Sequence, residues 1–112
     1  MPAALLVTTE MFGGSCPVQG CGTVQVFGAF TPKRHWYFRA RGNAWSVEVG
    51  SLDPDFDGLI SEDDTDLRVS GPYGSSYDAG HMLYEHAQKA LTESLERWAA
   101  GERGEVACEI EW

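Results

Sequence analysis

Two stretches near the middle of the chain alternate apolar and polar side chains. The alternation runs from His35 to Arg41, pauses at Gly42 and Asn43, and resumes from Trp45 to Val49. A period of two is typical of a strand with one buried face, and a glycine-containing pair between two such runs is typical of a tight turn. We therefore predict an antiparallel hairpin whose inner face is formed by Trp36, Phe38, Ala40, Trp45, Val47 and Val49.

A different spacing follows toward the C-terminus. Apolar residues recur there at intervals of three and four, which predicts an amphipathic helix. Asp78 is a candidate N-cap, because its side chain can accept a backbone N–H, and Gly101 is placed to end the helix. The predicted buried face consists of Leu83, Ala87, Ala90, Leu91, Leu95, Trp98 and Ala99.

The remaining segments predict shorter strands and loops. Strands are predicted at Leu5–Phe12, Thr23–Phe27 and Leu67–Ser70, and a terminal strand at Val106–Trp112, where apolar and mostly acidic residues alternate. The glycine- and proline-containing segment Cys16–Gly22 predicts a loop. Strands combined with one amphipathic helix predict an α+β fold, an antiparallel sheet with the helix packed on one face. At 112 residues the chain is expected to form a single domain, 1–112.

Charge is divided unevenly along this domain. Met1–Gly50 carries four basic and two acidic residues, a net charge of +2, whereas Ser51–Trp112 carries four basic and fifteen acidic residues, a net charge of −11. Such a negative field repels nucleic acid and membrane surfaces, and it attracts basic partners and cations. We therefore expect a basic protein partner and no direct contact with nucleic acid or membrane.

The segment Asp53–Asp64 resembles an EF-hand calcium loop. Acidic residues occupy loop positions one, three and five, and Gly58 stands at position six, where the loop turns sharply. Asp64 at position twelve is shorter than the usual glutamate, and the preceding predicted element is a strand rather than a helix. The alternative is a solvated acidic turn. If calcium binds, its expected ligands are Asp53, Asp55, Asp57, Leu59 through its backbone carbonyl, and Asp64; no other cofactor is expected.

Catalytic motifs are missing from the sequence. It contains no nucleophile elbow, phosphate-binding loop, dinucleotide fingerprint or zinc-protease motif, so we predict that the protein is not an enzyme. Cys16 and Cys21 resemble half of a zinc ribbon, but no second pair follows, and free thiols are the simpler interpretation. Cys108 is predicted to be buried, and His81 and His86, five residues apart, are predicted to lie on the surface.

A basic cluster interrupts the acidic composition. Lys33, Arg34, Arg39 and Arg41 lie among aromatic residues, a pattern also found in nucleic-acid platforms. The net charge opposes that interpretation. We predict instead that Arg39 and Arg41 pair with Glu48 or with the acidic terminal strand.

If the partner is basic, carboxylates form the interface. The predicted acidic loop Asp53–Asp66 is favoured over the terminal strand, because a loop can present carboxylates at variable spacing. Charge reversal across Asp63, Asp64 and Asp66 is predicted to slow association without unfolding the protein. The candidate partner-binding residues are Asp55, Asp57, Glu62, Asp63, Asp64, Asp66, Glu105, Glu109 and Glu111.

Four short strings suggest a class of protein. Tyr37–Gly42 followed by Trp45-Ser46, and Tyr73-Gly74 with Ala79-Gly80, are similar to segments of small acidic phage-encoded proteins of the anti-CRISPR kind. That resemblance implies a non-enzymatic inhibitor that acts in the cytoplasm of a bacterial host. It would bind a Cas protein or effector complex and block DNA recognition or nuclease recruitment. The alternatives are a toxin-immunity protein of the same inhibitor class, a calcium-binding module, and a self-associating phage or structural protein.

Overall fold

The computed structural model describes residues 5–14, 18–26, 33–52, 60–74 and 82–112. These residues form one six-stranded sheet, in which the strands lie in chain order, and one helix. The first five strands are antiparallel, which confirms the α+β prediction, whereas the sixth pairs in parallel with the fifth. The elements are β1 (Leu5–Gly13), β2 (Val18–Val26), β3 (Arg34–Arg41), β4 (Ala44–Leu52), β5 (Ile60–Pro72), α1 (Tyr84–Ala99) and β6 (Gly104–Ala107).

The central hairpin forms as predicted. β3 and β4 pair from Arg41 opposite Ala44 to His35 opposite Gly50, and Gly42 in the turn has φ +67°, a conformation that glycine adopts without steric cost. The predicted inner-face residues, Trp36 and Trp45 among them, are all at most 1 % exposed. Alternation of apolar and polar residues therefore identified the buried face correctly.

β2 is longer than predicted, because its glycines allow a neighbouring strand to approach closely and do not form a loop. Val18–Gly22 was predicted as part of a loop and lies in β2. A Cβ atom on Gly22 would lie 1.8 Å from the backbone oxygen of Thr8, so β1 can approach β2 only if this residue is glycine. Gly20 is covered in the same way by the ring of Phe12.

β5 also extends beyond its prediction. Only Leu67–Ser70 was predicted as strand, yet the strand begins at Ile60, which lies opposite Leu52 of β4. Two irregularities in the pairing at Gly50 accommodate the extra residues. Residues 60–66, whose acidic side chains predicted a loop, therefore lie in a strand because their backbone pairs with β4.

The helix is confirmed, although its start differs from the prediction. α1 begins at Tyr84, and the N-cap position is held by Leu83 without a side-chain hydrogen bond; Asp78 is not the N-cap and lies outside the described residues. Its end is as predicted: Gly101 has φ +98°, and its N–H donates to the carbonyl of Trp98 at 3.0 Å. The buried face consists of Ala87, Ala90, Leu91, Ser94, Leu95 and Trp98.

The terminal strand is shorter than predicted. β6 ends at Ala107. It can run parallel to β5 because α1, which connects the two strands, brings the chain back to the end of the sheet at which β5 begins. Cys108 is buried, as predicted, and its N–H donates to the carbonyl of Ser70 at 2.8 Å. The chain then leaves the sheet, and the Trp112 ring packs against Tyr73 and His86, with centroids 5.1 and 5.2 Å apart. His86 is half-buried there, contrary to its predicted surface position.

The core lies in one layer between α1 and one face of the sheet. Trp36, Phe38, Val47 and Val69 are fully buried there, and Leu95 from the helix is 2 % exposed. On β3 and β4 the opposite face carries polar side chains, which include Tyr37, Arg39, Ser46 and Glu48. Among the described residues, no helix is long and apolar enough to cross a membrane.

Candidate binding surface

A charged cluster at the start of β3 and in the middle of β5 joins the sheet to the helix. The Arg34 guanidinium donates from Nε to Asp66 Oδ2 and from Nη2 to Asp66 Oδ1, each at 2.9 Å. Trp98 of α1 donates its Nε1–H to the same Asp66 Oδ2 at 3.1 Å. Arg34 and Asp66 are only 17 % and 23 % exposed, so this two-point ion pair is largely shielded from water.

Asp64 joins the cluster from the solvent side. Its Oδ1 lies 3.1 Å from Arg34 Nη2, and its Oδ2 accepts a hydrogen bond from Ser51. These two contacts, the Ser51 bond first, hold the pKa of Asp64 below its usual value. The Asp66 contacts are the largest cause of a raised Arg34 pKa. Two of the predicted partner-binding carboxylates are therefore engaged inside the molecule.

The lowered pKa of Asp64 predicts how the stability of the folded protein changes in acid. Near and below about pH 4 the unfolded chain binds a proton at this position more readily than the folded protein does. The contribution of Asp64 is therefore present above that range and is lost as the pH falls through the folded-state pKa. We expect Asp64→Asn to be less stable than wild type at pH 7 and to lose less stability on acidification, measured by urea midpoints.

Glu105→Gln is the matched control, because Glu105 is 84 % exposed and lies 3.9 Å from Arg68. It should follow the wild-type acid profile. If Asp64→Asn also follows that profile, the Asp64 contacts contribute nothing to acid stability.

The predicted calcium loop lies mostly outside the described residues. Of its proposed ligands, Asp53, Asp55, Asp57 and Leu59 are not described, and Asp64 contacts Arg34 and Ser51. Positions eight to twelve, Ile60–Asp64, lie in β5, so the helix that follows an EF-hand loop is replaced by a strand. No group of three potential metal ligands occurs among the described residues. Calcium binding remains a prediction.

The other predicted interface residues divide into two groups. Asp55 and Asp57 lie outside the described residues, and Glu62 and Asp63 belong to β5 by their backbone, their side chains being outside the description. Glu105 belongs to β6 and lies beside Arg68 of β5. Glu109 and Glu111 follow β6 in the chain and are exposed. Neither Glu109 nor Glu111 has a side-chain ion pair with another described residue. Residues 53–59, between β4 and β5 in the chain, are called the 53–59 segment below.

An aromatic residue follows these exposed glutamates in the chain. Trp112 is 38 % exposed and makes edge contacts with Trp45 and Tyr73. Its ring is thus held in place by the fold while one part remains accessible. Glu109, Glu111 and Trp112 together are called the C-terminal corner.

The arginines of β3 do not pair as predicted. Glu48 lies 3.9 Å from Arg68, and Arg68 also approaches Glu105 at 3.9 Å, so Arg68 occupies the position predicted for Arg39 and Arg41. Arg39 and Arg41 are exposed and have no ion pair within the described ranges. They border a shallow groove on the open face of the sheet, together with Ser46.

The described cysteines do not form a metal site. Cys21, predicted in a loop, lies in β2 and is half-buried, and it is a free thiol like Cys108. Burial, with a smaller effect of Glu10, raises the pKa of the Cys21 thiol, which keeps it protonated and weakly reactive. Cys16 lies outside the described residues, so the zinc hypothesis is untested there.

Comparison of the chain with family models, with curated proteins and with solved structures finds no match.

Proposed function

We propose that this protein is a non-enzymatic inhibitor that binds a basic protein and blocks access of nucleic acid to it. The observation that supports the proposal is the C-terminal corner, where two exposed glutamates, Glu109 and Glu111, directly precede a partly exposed tryptophan whose ring the fold holds in place. Carboxylates can occupy positions at which a nucleic-acid enzyme binds phosphates, and an aromatic anchor supplies binding energy that charge alone does not.

The charge distribution adds a second contribution. The 53–59 segment contains three aspartates, so it adds negative charge at a second position along the chain. A net charge of −9 would steer the protein toward a basic surface, raise the association rate and make that rate dependent on salt. Steering over the whole molecule and contact at the C-terminal corner are thus separate parts of the proposal.

Two kinds of target fit this proposal. The resemblance to anti-CRISPR proteins implies a Cas effector, whose DNA recognition or nuclease recruitment would be blocked. A toxin nuclease is the second, in which case the protein is its immunity partner. The identity of the captured protein separates the two, and so does the genomic neighbourhood, because an immunity gene follows its toxin gene.

Charge reversal tests the interface directly. We expect Glu109→Lys/Glu111→Lys to lower the association rate for the partner about tenfold at low salt, because steering charge and local contacts are lost together. Asp55→Lys/Asp57→Lys tests the 53–59 segment by the same charge change. The rates are measured by stopped-flow or surface plasmon resonance at two salt concentrations.

The matched control is Glu85→Lys/Glu96→Lys at two exposed positions of α1. It changes the net charge by the same amount and leaves the residues of the C-terminal corner and of the 53–59 segment unchanged. We expect a change in rate smaller than about threefold. An equal effect of all three double variants would mean that only net charge matters, and an effect confined to the control would place the interface on the helix.

A further inference from the structure

The outer edge of β1 is an open strand with an unusual composition. β1 is nine residues long and lies at the end of the strand order, so within the described chain only β2 pairs with it. Leu6, Val7 and Met11 are 51 %, 43 % and 42 % exposed. Open edges in monomeric proteins are usually short, charged or interrupted by proline; β1 has one bulge and one charged residue, Glu10.

The apolar side chains of β1 lie on both sides of the strand. Val7 lies opposite Val24, a core residue, and therefore points toward the helix side of the sheet, whereas Leu6 is on the open face. On the helix side a groove of about 280 Å³ separates β1 from α1; Leu5, Val7, Leu91 and Leu95 are among its lining residues. An edge-on partner would cover backbone and apolar side chains at once.

Charge indicates which partner this edge accepts. The edge itself carries little charge: β1 and β2 contain one charged residue, Glu10, because the four basic residues of the first half lie at 33–41. The acidic strands β5 and β6 lie at the other end of the sheet. Strands are spaced about 4.8 Å apart, so β5 lies roughly 19 Å from β1, more than two Debye lengths at physiological salt. The nearest carboxylates in the description are Glu10 and Glu96 of the groove. A second acidic copy can therefore approach here with less repulsion than near β5 or β6.

We propose that β1 is the dimerisation edge, at which two copies pair β1 with β1 in the antiparallel direction about a two-fold axis perpendicular to the sheet. Such an axis joins the two sheets into one and keeps both helices on the same side. The grooves of the two copies then face each other, and each becomes covered by the partner. The acidic halves point outward at opposite ends, where each remains available to bind a target.

The test is the molar mass in solution. Sedimentation equilibrium of the wild-type chain over roughly 1 to 200 µM should show a reversible change from the chain mass of 12.3 kDa to twice that value. Val7→Lys places a charge in the covered groove and should raise the dimer dissociation constant at least about tenfold. Leu6→Lys, on the opposite side of the same strand, is a second variant should Val7→Lys not fold.

Leu83→Lys is the matched control, since Leu83 is 54 % exposed and lies just before α1. It should leave the dissociation constant unchanged. A wild-type chain that stays monomeric throughout the range overturns the proposal. So does a dimer that both β1 variants leave intact, because the contact would then lie elsewhere. Neither result bears on partner binding by the C-terminal corner, so the two proposals fail separately.

Discussion

Replacing Trp45 by alanine should lower the free energy of unfolding by about 3–5 kcal/mol, a large part of the total stability of a domain this small. The side chain is 1 % exposed and contacts the ring of Trp112. Truncation would open a cavity between β4 and the C-terminal corner that rigid neighbours cannot fill. Urea denaturation followed by circular dichroism measures the change.

Phenylalanine variants separate ring packing from hydrogen bonding. Trp36 donates its Nε1–H to the carbonyl of Thr8 at 3.1 Å, whereas the buried Nε1 of Trp45 has no hydrogen-bond partner among the described residues. Trp36→Phe should therefore cost more than Trp45→Phe, by about 1 kcal/mol. Leu83→Ala, at an exposed position, should stay within about 0.5 kcal/mol of wild type. A Trp45→Ala variant as stable as Leu83→Ala would contradict the placement of Trp45 in the core.

The second large effect is expected at Asp66. Replacing it by asparagine removes the charge that holds Arg34 and weakens the acceptor of the Trp98 N–H. Breaking a buried ion pair costs about 3–5 kcal/mol, and because Asp66 is 23 % exposed we expect about 2–4 kcal/mol. The free energy of unfolding is measured at neutral pH.

Glu105→Gln provides the comparison for this variant too. Its ion pair with Arg68 is exposed and 3.9 Å long, so its removal should cost less than about 0.5 kcal/mol. If Asp66→Asn costs no more than Glu105→Gln, the Arg34 cluster does not stabilise the fold. The expected loss also means that charge reversal at Asp66 would perturb folding, contrary to the sequence prediction, so Asp66 should be omitted from interface variants.

The sequence was sufficient where a pattern repeats locally. Alternation identified both strands of the central hairpin, and intervals of three and four identified α1 and its end at Gly101. Errors arose where distant backbone decides the structure. Gly22 favours a loop in sequence, yet it lies in a strand because β1 passes directly over it. The parallel pairing of β6 likewise depends on where α1 returns the chain.

The charged cluster around Arg34 could not be predicted from the sequence either, because its residues are far apart in the chain. Arg34, Asp66 and Trp98 are each 32 residues from the next, and no local pattern indicates that they meet. Sequence therefore identified Asp66 as one of many carboxylates, whereas its contacts make it a structural residue. Glu109 and Glu111 are exposed, as their acidic side chains predicted, although they follow β6 instead of lying in a terminal strand.

The most direct measurement is capture of the partner. The tagged protein is incubated at low and at high salt with lysates that contain CRISPR effector complexes or toxin nucleases, and the retained proteins are identified by mass spectrometry. We predict that a basic nucleic-acid-handling protein is retained at low salt and lost at high salt, and that nucleic acid competes for it. Retention of no such protein at low salt, or retention that neither salt nor nucleic acid reduces, would contradict the proposed inhibitor.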